Sequence, residues 1–323
     1  MRKIHTLLLT GLAGCVASLP AQITIGENLD VSGFIDMSTT TSDAGGSSTD
    51  TLSLDQWEID FNFSPSEGLS AQVDLNDTGD GAEVEQAFVM LDLGQGLALK
   101  AGLMLTPLGY EAAEPTGLYQ FSVSATIIGY PGYANGIAAM YGNDLGSLYL
   151  AVVDASYSGD KDAEDLSFEA QLKLSPMEGL TLQAGYASEK FGSTEATGVT
   201  GDANFADAVG SYDQGIANFW AEYATGPITL AAEYNSLFEI GAPNADGDGY
   251  LVMLNYALTD KMAVTFRHSS VELDTGFENT EFTISPSYAV SDNLLTLLEF
   301  RTDEYDDSTQ DGETIAAEML FTF

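Results

Sequence analysis

Residues 57–75 read WEIDFNFSPSEGLSAQVDL. Trp57, Ile59, Phe61 and Phe63 alternate with Glu58, Asp60 and Asn62 as far as a break at 64–68. Beyond it Leu69, Ala71, Val73 and Leu75 alternate with Ser70, Gln72, Asp74 and Asn76. Successive side chains of a strand point to opposite faces, so a period of two in both arms predicts a β-hairpin with one apolar and one polar face. The fold turns on whether that apolar face looks at a protein core or at lipid.

The same pattern recurs along the chain. LSFEAQLKLSPMEGLTLQAGY, 166–186, repeats strand, Ser-Pro-x-Glu-Gly-Leu and strand. Tight connections rich in Gly, Pro, Asn and Asp fall at 93–96, 143–146, 225–227, 259–261 and 291–293. Between them lie longer polar stretches, mostly acidic, at 40–50, 156–165, 190–214, 236–249 and 303–313. Alternating short and long connections are the asymmetry of an up-and-down antiparallel barrel with short periplasmic turns and long outer loops. About sixteen strands are expected, near 29–38, 52–63, 69–76, 84–93, 97–104, 136–142, 147–154, 166–174, 180–188, 216–224, 228–236, 249–258, 261–269, 280–289, 294–302 and 314–323.

Three features turn the apolar face toward lipid. Phe63, Tyr223, Tyr256, Tyr288 and Phe323 lie on it near the tight turns, and Tyr186, Tyr234, Tyr250, Phe266 and Phe300 near the long loops. Two aromatic girdles match two membrane interfaces. Charge collects on the opposite face, as expected where a charge facing mid-bilayer costs roughly 2–4 kcal/mol. The last strand alternates Ile315, Ala317, Met319, Phe321 and Phe323, which resembles the signal read by the outer-membrane barrel-assembly machinery. A soluble secreted β-protein would hide the apolar face under a second sheet instead. The expected fold is an all-β transmembrane barrel over 22–323, wide enough for an aqueous channel.

Composition limits the partners. The 323 residues carry 9 Lys+Arg against 49 Asp+Glu, a net charge of −40, which argues against nucleic acid. Residues 1–21 read as an export signal: Arg2 and Lys3, a short apolar run, then small residues up to Ala21. Cleavage there removes two bases and no acid, taking the net charge from −40 to −42. It also removes the single cysteine, Cys15, although Leu12-Ala13-Gly14-Cys15 fits a lipoprotein processing box as well. No cofactor is implied.

One stretch breaks the rhythm. Residues 105–135, LTPLGYEAAEPTGLYQFSVSATIIGYPGYAN, hold Pro107, Pro115 and Pro131 together with Tyr110, Tyr119, Tyr130 and Tyr133. So long an irregular segment is usually functional or disordered, and this one is too apolar for a disordered tail. Two placements are open: folded into the barrel mouth with Glu111 and Glu114 toward the solute path, or packed over it as a cap. Gly102-Leu103-Met104-Leu105-Thr106-Pro107-Leu108-Gly109-Tyr110-Glu111, with Pro115 after it and a strand from Gly136, resembles the OmpL-like family of β-barrel porins. The resemblance implies a bacterial outer-membrane porin and supplies no substrate and no catalytic residue.

The inward candidates are Glu58, Asp60, Asp74, Lys100, Glu169, Lys173, Glu222, Glu233, Arg267, Glu281, Glu299, Arg301 and Glu318, with Glu111 and Glu114 on the irregular segment. Acids outnumber bases among them, which predicts passive diffusion of small hydrophilic solutes with a preference for cations. The alternative is a closed barrel anchor or adhesin whose acidic loops bind a partner or divalent ions. Asn244, Asp246 and Asp248 open like a calcium loop, but the twelfth position is Asn255 rather than a bidentate Glu, so a solvated acidic loop is the simpler reading. Beyond the signal, His268 is the sole histidine. Alternation puts it on the face opposite Ser269, so no triad is expected and no enzyme is read. A homotrimer is a further expectation.

Overall fold

A computed structural model describes residues 22–157, 166–191 and 212–323. The expected signal segment with Cys15 lies outside the described residues, as do parts of the connections at 156–165 and 190–214. Seventeen strands form one antiparallel sheet. A short β1 (Ile23–Ile25) precedes β2 (Leu29–Ala44), β3 (Ser47–Ser66), β4 (Leu69–Asp77), β5 (Glu83–Gly94) and β6 (Leu97–Leu105). After the irregular segment come β7 (Tyr133–Asn143), β8 (Gly146–Val153), β9 (Ser167–Met177), β10 (Leu180–Phe191) and β11 (Tyr212–Thr225). The last six are β12 (Ile228–Phe238), β13 (Gly247–Thr259), β14 (Met262–Leu273), β15 (Phe277–Ser291), β16 (Leu294–Tyr305) and β17 (Gly312–Thr322).

From β2 onward each strand pairs with its neighbour in sequence, and β17 pairs with β2 in a register that sets Met319 opposite Met37. Sixteen strands thus close into a barrel. At the seam the Gly33 amide donates to the Phe323 carbonyl at 2.9 Å, and the Phe323 amide donates back at 3.0 Å. Beyond that point β1 takes over the edge of β2, pairing with Leu29–Val31. A Cβ on Gly33 would stand 2.8 Å from the Phe323 ring, so this close approach needs glycine.

The exposure of the two faces decides between core and lipid. Phe63 is 39% exposed on the outside while Glu58, five residues earlier, is 2% exposed on the inside. Both expected aromatic girdles stand on the outer face, with Tyr223, Tyr256, Tyr186 and Phe300 among the exposed residues. Outward apolar and inward polar is the order that lipid imposes on a barrel.

Two local differences separate the strands from their expected form. The stretch 40–50, expected as a loop, is strand: Thr40 pairs with Thr51, and Ala44 with Ser47. Gly45 and Gly46 (φ 58° and 77°) close it in a two-residue turn of the kind that suits hairpin twist. Past the membrane both faces of the hairpin are polar, so the hydrophobic alternation disappears while the pairing continues. Away from the turns, two β-bulges among the described residues break the period itself. The partner of Asp36 is Gln56 and that of Met37 is Leu54, which leaves Asp55 extra. In the same way Asp74 pairs with Gln86 and Leu75 with Val84, which leaves Glu85 extra. Each bulge adds one residue and flips the parity of the strand beyond it, so Leu54 and Trp57 both face out.

Candidate functional site

The interior is built from the irregular segment laid against the inner wall of β9–β16. The motif at 102–111 shows how the chain turns there. Gly102 (φ 137°) is the last glycine of β6, where a Cβ would strike the Ala87 carbonyl. Pro107 then presents its carbonyl to the Gln171 and Gln183 side-chain amides, the latter at 3.3 Å. At Gly109 (φ 96°) a Cβ would collide with the Tyr130 ring. Two residues on, Glu111 reaches Arg267. Each of these motif positions therefore has a geometric reason.

Arg267 is the central pin. Its guanidinium, fully buried on β14, bonds Glu111 at 2.8 Å, the Ser122 carbonyl at 2.6 Å and Thr283 Oγ1 at 3.2 Å. Glu281 lies 3.7 Å from it and pairs with Arg301 at 2.7 Å. Arg301 also bonds Asp303 on its own strand. The remaining inner carboxylates of this side likewise receive the segment. Glu233 accepts from the Tyr130 hydroxyl at 2.6 Å and from the Tyr110 amide at 2.9 Å. Glu222 accepts from the Tyr110 hydroxyl at 2.9 Å, and Glu299 from the Ser122 amide at 3.1 Å. Burial against these acids raises the Tyr130 phenol well above its usual range, so it stays a donor. Glu169 accepts from Ser156 Oγ at 3.0 Å.

Here the inner wall is also apolar, which strict alternation does not announce. Ile216, Leu237, Val271 and Leu273 point inward and pack with Leu108 and Tyr130 of the segment. Ala231, Leu251 and Met253 do the same under Tyr110 and Tyr119. The segment supplies the cover that these residues need in a water-filled lumen.

The opposite wall, from β2 to β5, holds Glu58, Asp60, Asp74 and the bulge residue Glu85, with Glu114 of the segment facing them. Ser32 donates to Asp60 at 2.9 Å, Gln72 and Gln86 to Asp74 at 2.8 and 2.9 Å, and Asn76 to Glu85 at 2.8 Å. Burial, then the charges of Glu85, Asp60 and Asp74, push the Glu114 carboxyl up to about 7. Asp36 and Glu318 continue this acidic wall onto β2 and β17, where Asp36 Oδ1 accepts no hydrogen bond from the described residues. Lys100 sits 3.7 Å over the Phe88 ring, and Lys173 5.2 Å from the Trp220 ring. Among the described residues every ion pair involves Arg267 or Arg301. Asp36, Asp55 and Glu85 were not among the inward residues expected from sequence. Asp36 was legible between outward Ile35 and Met37, whereas the two bulges hid the others.

The remaining candidates lie elsewhere. Asp246 accepts the Glu239 amide at 2.9 Å within its own loop, and Asp248 turns outward to the Tyr234 hydroxyl. Asn244 holds a left-handed conformation (φ 58°) and gives its amide to Glu239 at 3.3 Å. The ring of His268 contacts the Glu281 carbonyl at 3.0 Å and the outward Tyr250 hydroxyl at 3.2 Å, while Ser269 donates inward to Glu281 at 2.8 Å.

A family profile described as beta-barrel porin-2, OmpL-like, matches residues 58–323. The chain belongs to this porin family. No curated protein sequence matches it. Solved structures share the fold at low identity. OmpF of Salmonella typhi, in complex with daunomycin, aligns with a TM-score of 0.69 and 15% identity over 94% of this chain and 100% of that one. OmpT of Vibrio cholerae in a trimer form gives 0.67 and 13% over 92% and 100%. The anion-selective porin of Comamonas acidovorans gives 0.66 and 12% over 92% and 99%. Family and barrel together make this OmpL-like chain an outer-membrane porin.

Proposed function

We propose that the barrel is a passive channel for small hydrophilic solutes that prefers cations, narrowed by residues 105–135 and without catalytic activity. The supporting observation is the asymmetry of the lining. Both inward arginines are tied to carboxylates, whereas the wall from β2 to β5 carries acids that no ion pair neutralises among the described residues. Uncompensated carboxylates around a low-dielectric passage attract cations and repel anions. The Comamonas porin, described as anion-selective, has the same fold, so selectivity follows from lining residues rather than architecture. Export by removal of 1–21, insertion assisted through Phe323 and assembly as a homotrimer belong to the same reading.

The test is the reversal potential of the purified protein in a planar bilayer under a KCl gradient. A potential of cation-selective sign is expected. Anion selectivity would overturn the preference, and a folded protein that passes no current would overturn the channel.

A further inference from the structure

Five carboxylates converge on the inner face of β3–β5, and among the described residues none of them is in an ion pair; Lys100 on β6 feels the Asp74 charge without bonding it. Oxygens of Glu58, Glu85 and Glu114 lie within 4.8 Å of one another, and so do oxygens of Glu58, Asp60 and Asp74. Glu58 belongs to both groups. It is 2% exposed and Asp74 is 0% exposed. Glu58 Oε2, Asp60 Oδ1, Asp74 Oδ1 and Glu85 Oε2 are buried and accept no hydrogen bond from the described residues. Neutral side chains reach the cluster: Ser32, Gln72, Gln86, Asn76, at 3.3 Å Thr116 on Glu114, and the Tyr133 hydroxyl beside Glu85.

Buried like charges at such separations cannot all persist without a counter-charge. The amide groups are informative here. Gln72, Gln86 and Asn76 all donate to carboxylates, but as neutral amides they supply hydrogen bonds and no counter-charge. The carboxylate oxygens are hard ligands, and Asn76 Oδ1, also buried and without a donor among the described residues, is another hard oxygen. Calcium takes about six to eight oxygens at about 2.3–2.6 Å, so ligand oxygens up to about 5 Å apart can share one ion. Oxygens within 4.8 Å of one another meet that limit as they stand.

We propose that Glu58, Glu85 and Glu114 bind a divalent cation of the calcium class inside the barrel, with Asp60 and Asp74 joined to the site through Glu58. Glu114 is the one member on the irregular segment, so the ion fastens that segment to β3 and β5 across from the Arg267 pin. The inference concerns binding and stands whether or not the barrel conducts.

The test uses the detergent-purified full chain, stripped with chelator, equilibrated with Ca²⁺ in physiological salt and desalted, with retained calcium measured by elemental analysis. The acidic outer loops could also take up calcium, so Asp246→Asn with Asp248→Asn is the control. Wild type and control are expected to retain calcium. Glu58→Gln should lose it, and Glu114→Gln should bind about tenfold more weakly or worse. Because Glu114 lies outside the strands, its substitution leaves barrel formation intact, which heat-modifiable gel mobility verifies. A second readout crosses over: in chelator Glu58→Gln melts above wild type, since one repelling charge is gone, and in Ca²⁺ it melts below. Wild type retaining no calcium, the loop control losing as much as Glu58→Gln, or both Gln variants binding like wild type would each overturn the proposal.

Discussion

Replacing Arg267 by Met tests whether one buried guanidinium holds the middle of the internal segment. The substitution keeps an unbranched side chain but strands Glu111, which bonds Arg267 at 2.8 Å, and removes the donor of the Ser122 carbonyl at 2.6 Å. Breaking a buried pair by deleting one partner costs about 3–5 kcal/mol. At about 1.4 kcal/mol per decade, that moves the seating equilibrium of the segment by roughly two to three and a half decades. The ends stay attached, because Tyr130 still bonds Glu233 at 2.6 Å and Leu108 still packs on Ile216 and Leu237. Release is therefore confined to about 111–124. Single-channel recording should show a larger and noisier open level in Arg267→Met than in wild type. Adding Glu111→Gln removes the stranded charge and should recover part of the quiet behaviour. A folded Arg267→Met whose traces match wild type would refute the pinning argument, as would a double variant noisier than the single one.

Three other outcomes are expected from the fold. Val252 is exposed on the outer face near the middle of β13, so Val252→Arg should destabilise folding into bilayers by about 2–4 kcal/mol, measured by reversible titration with denaturant. The same change at Tyr256, nearer the turn, should cost less. Deleting Phe323 removes the ring stacked 6.2 Å from Phe321 and both seam hydrogen bonds with Gly33, and the yield of heat-modifiable barrel should fall. In the loop after β16, hydrogen bonds from the Thr309 hydroxyl (2.7 Å) and amide (3.1 Å) lower the Asp307 pKa. A lowered folded pKa gives stability that is present above the unfolded value and lost as pH falls through the folded one. Thr309→Val should bring the Asp307 titration, tracked by carboxyl NMR, back toward about 3.9.

Strand existence and facing were legible because the bilayer enforces both. A residue such as Val252 has to be apolar and Arg267 has to turn inward, whatever the rest of the chain does. Strand length was less legible. Thr39, Thr40 and Thr41 pair as regularly as Ile35, but above the membrane nothing selects between their faces. The three residues of β1 are too few to show a period at all. Inside, Asp60 and Asp74 could be read by counting in twos, whereas Glu85 could not, since a bulge is a break in the count. Least legible were the contacts of the irregular segment. Glu111 meets Arg267 across 156 positions of chain, and no local rule connects them. The apolar inner patch of Ile216, Leu237, Val271 and Leu273 was the available hint that something would cover that wall.

The seam between β2 and β17 joins residues 29–44 to residues 312–322, so the ring cannot close until the final residues arrive. Until then the nascent sheet has two unsatisfied margins, each a row of bare amides and carbonyls in need of a temporary partner. Residues 106–132 join the paired strands β6 and β7 at one rim, so they have the open mouth to settle through and need not precede the seam. Whatever chaperones the chain therefore has to shelter both margins until the seam between β2 and β17 forms.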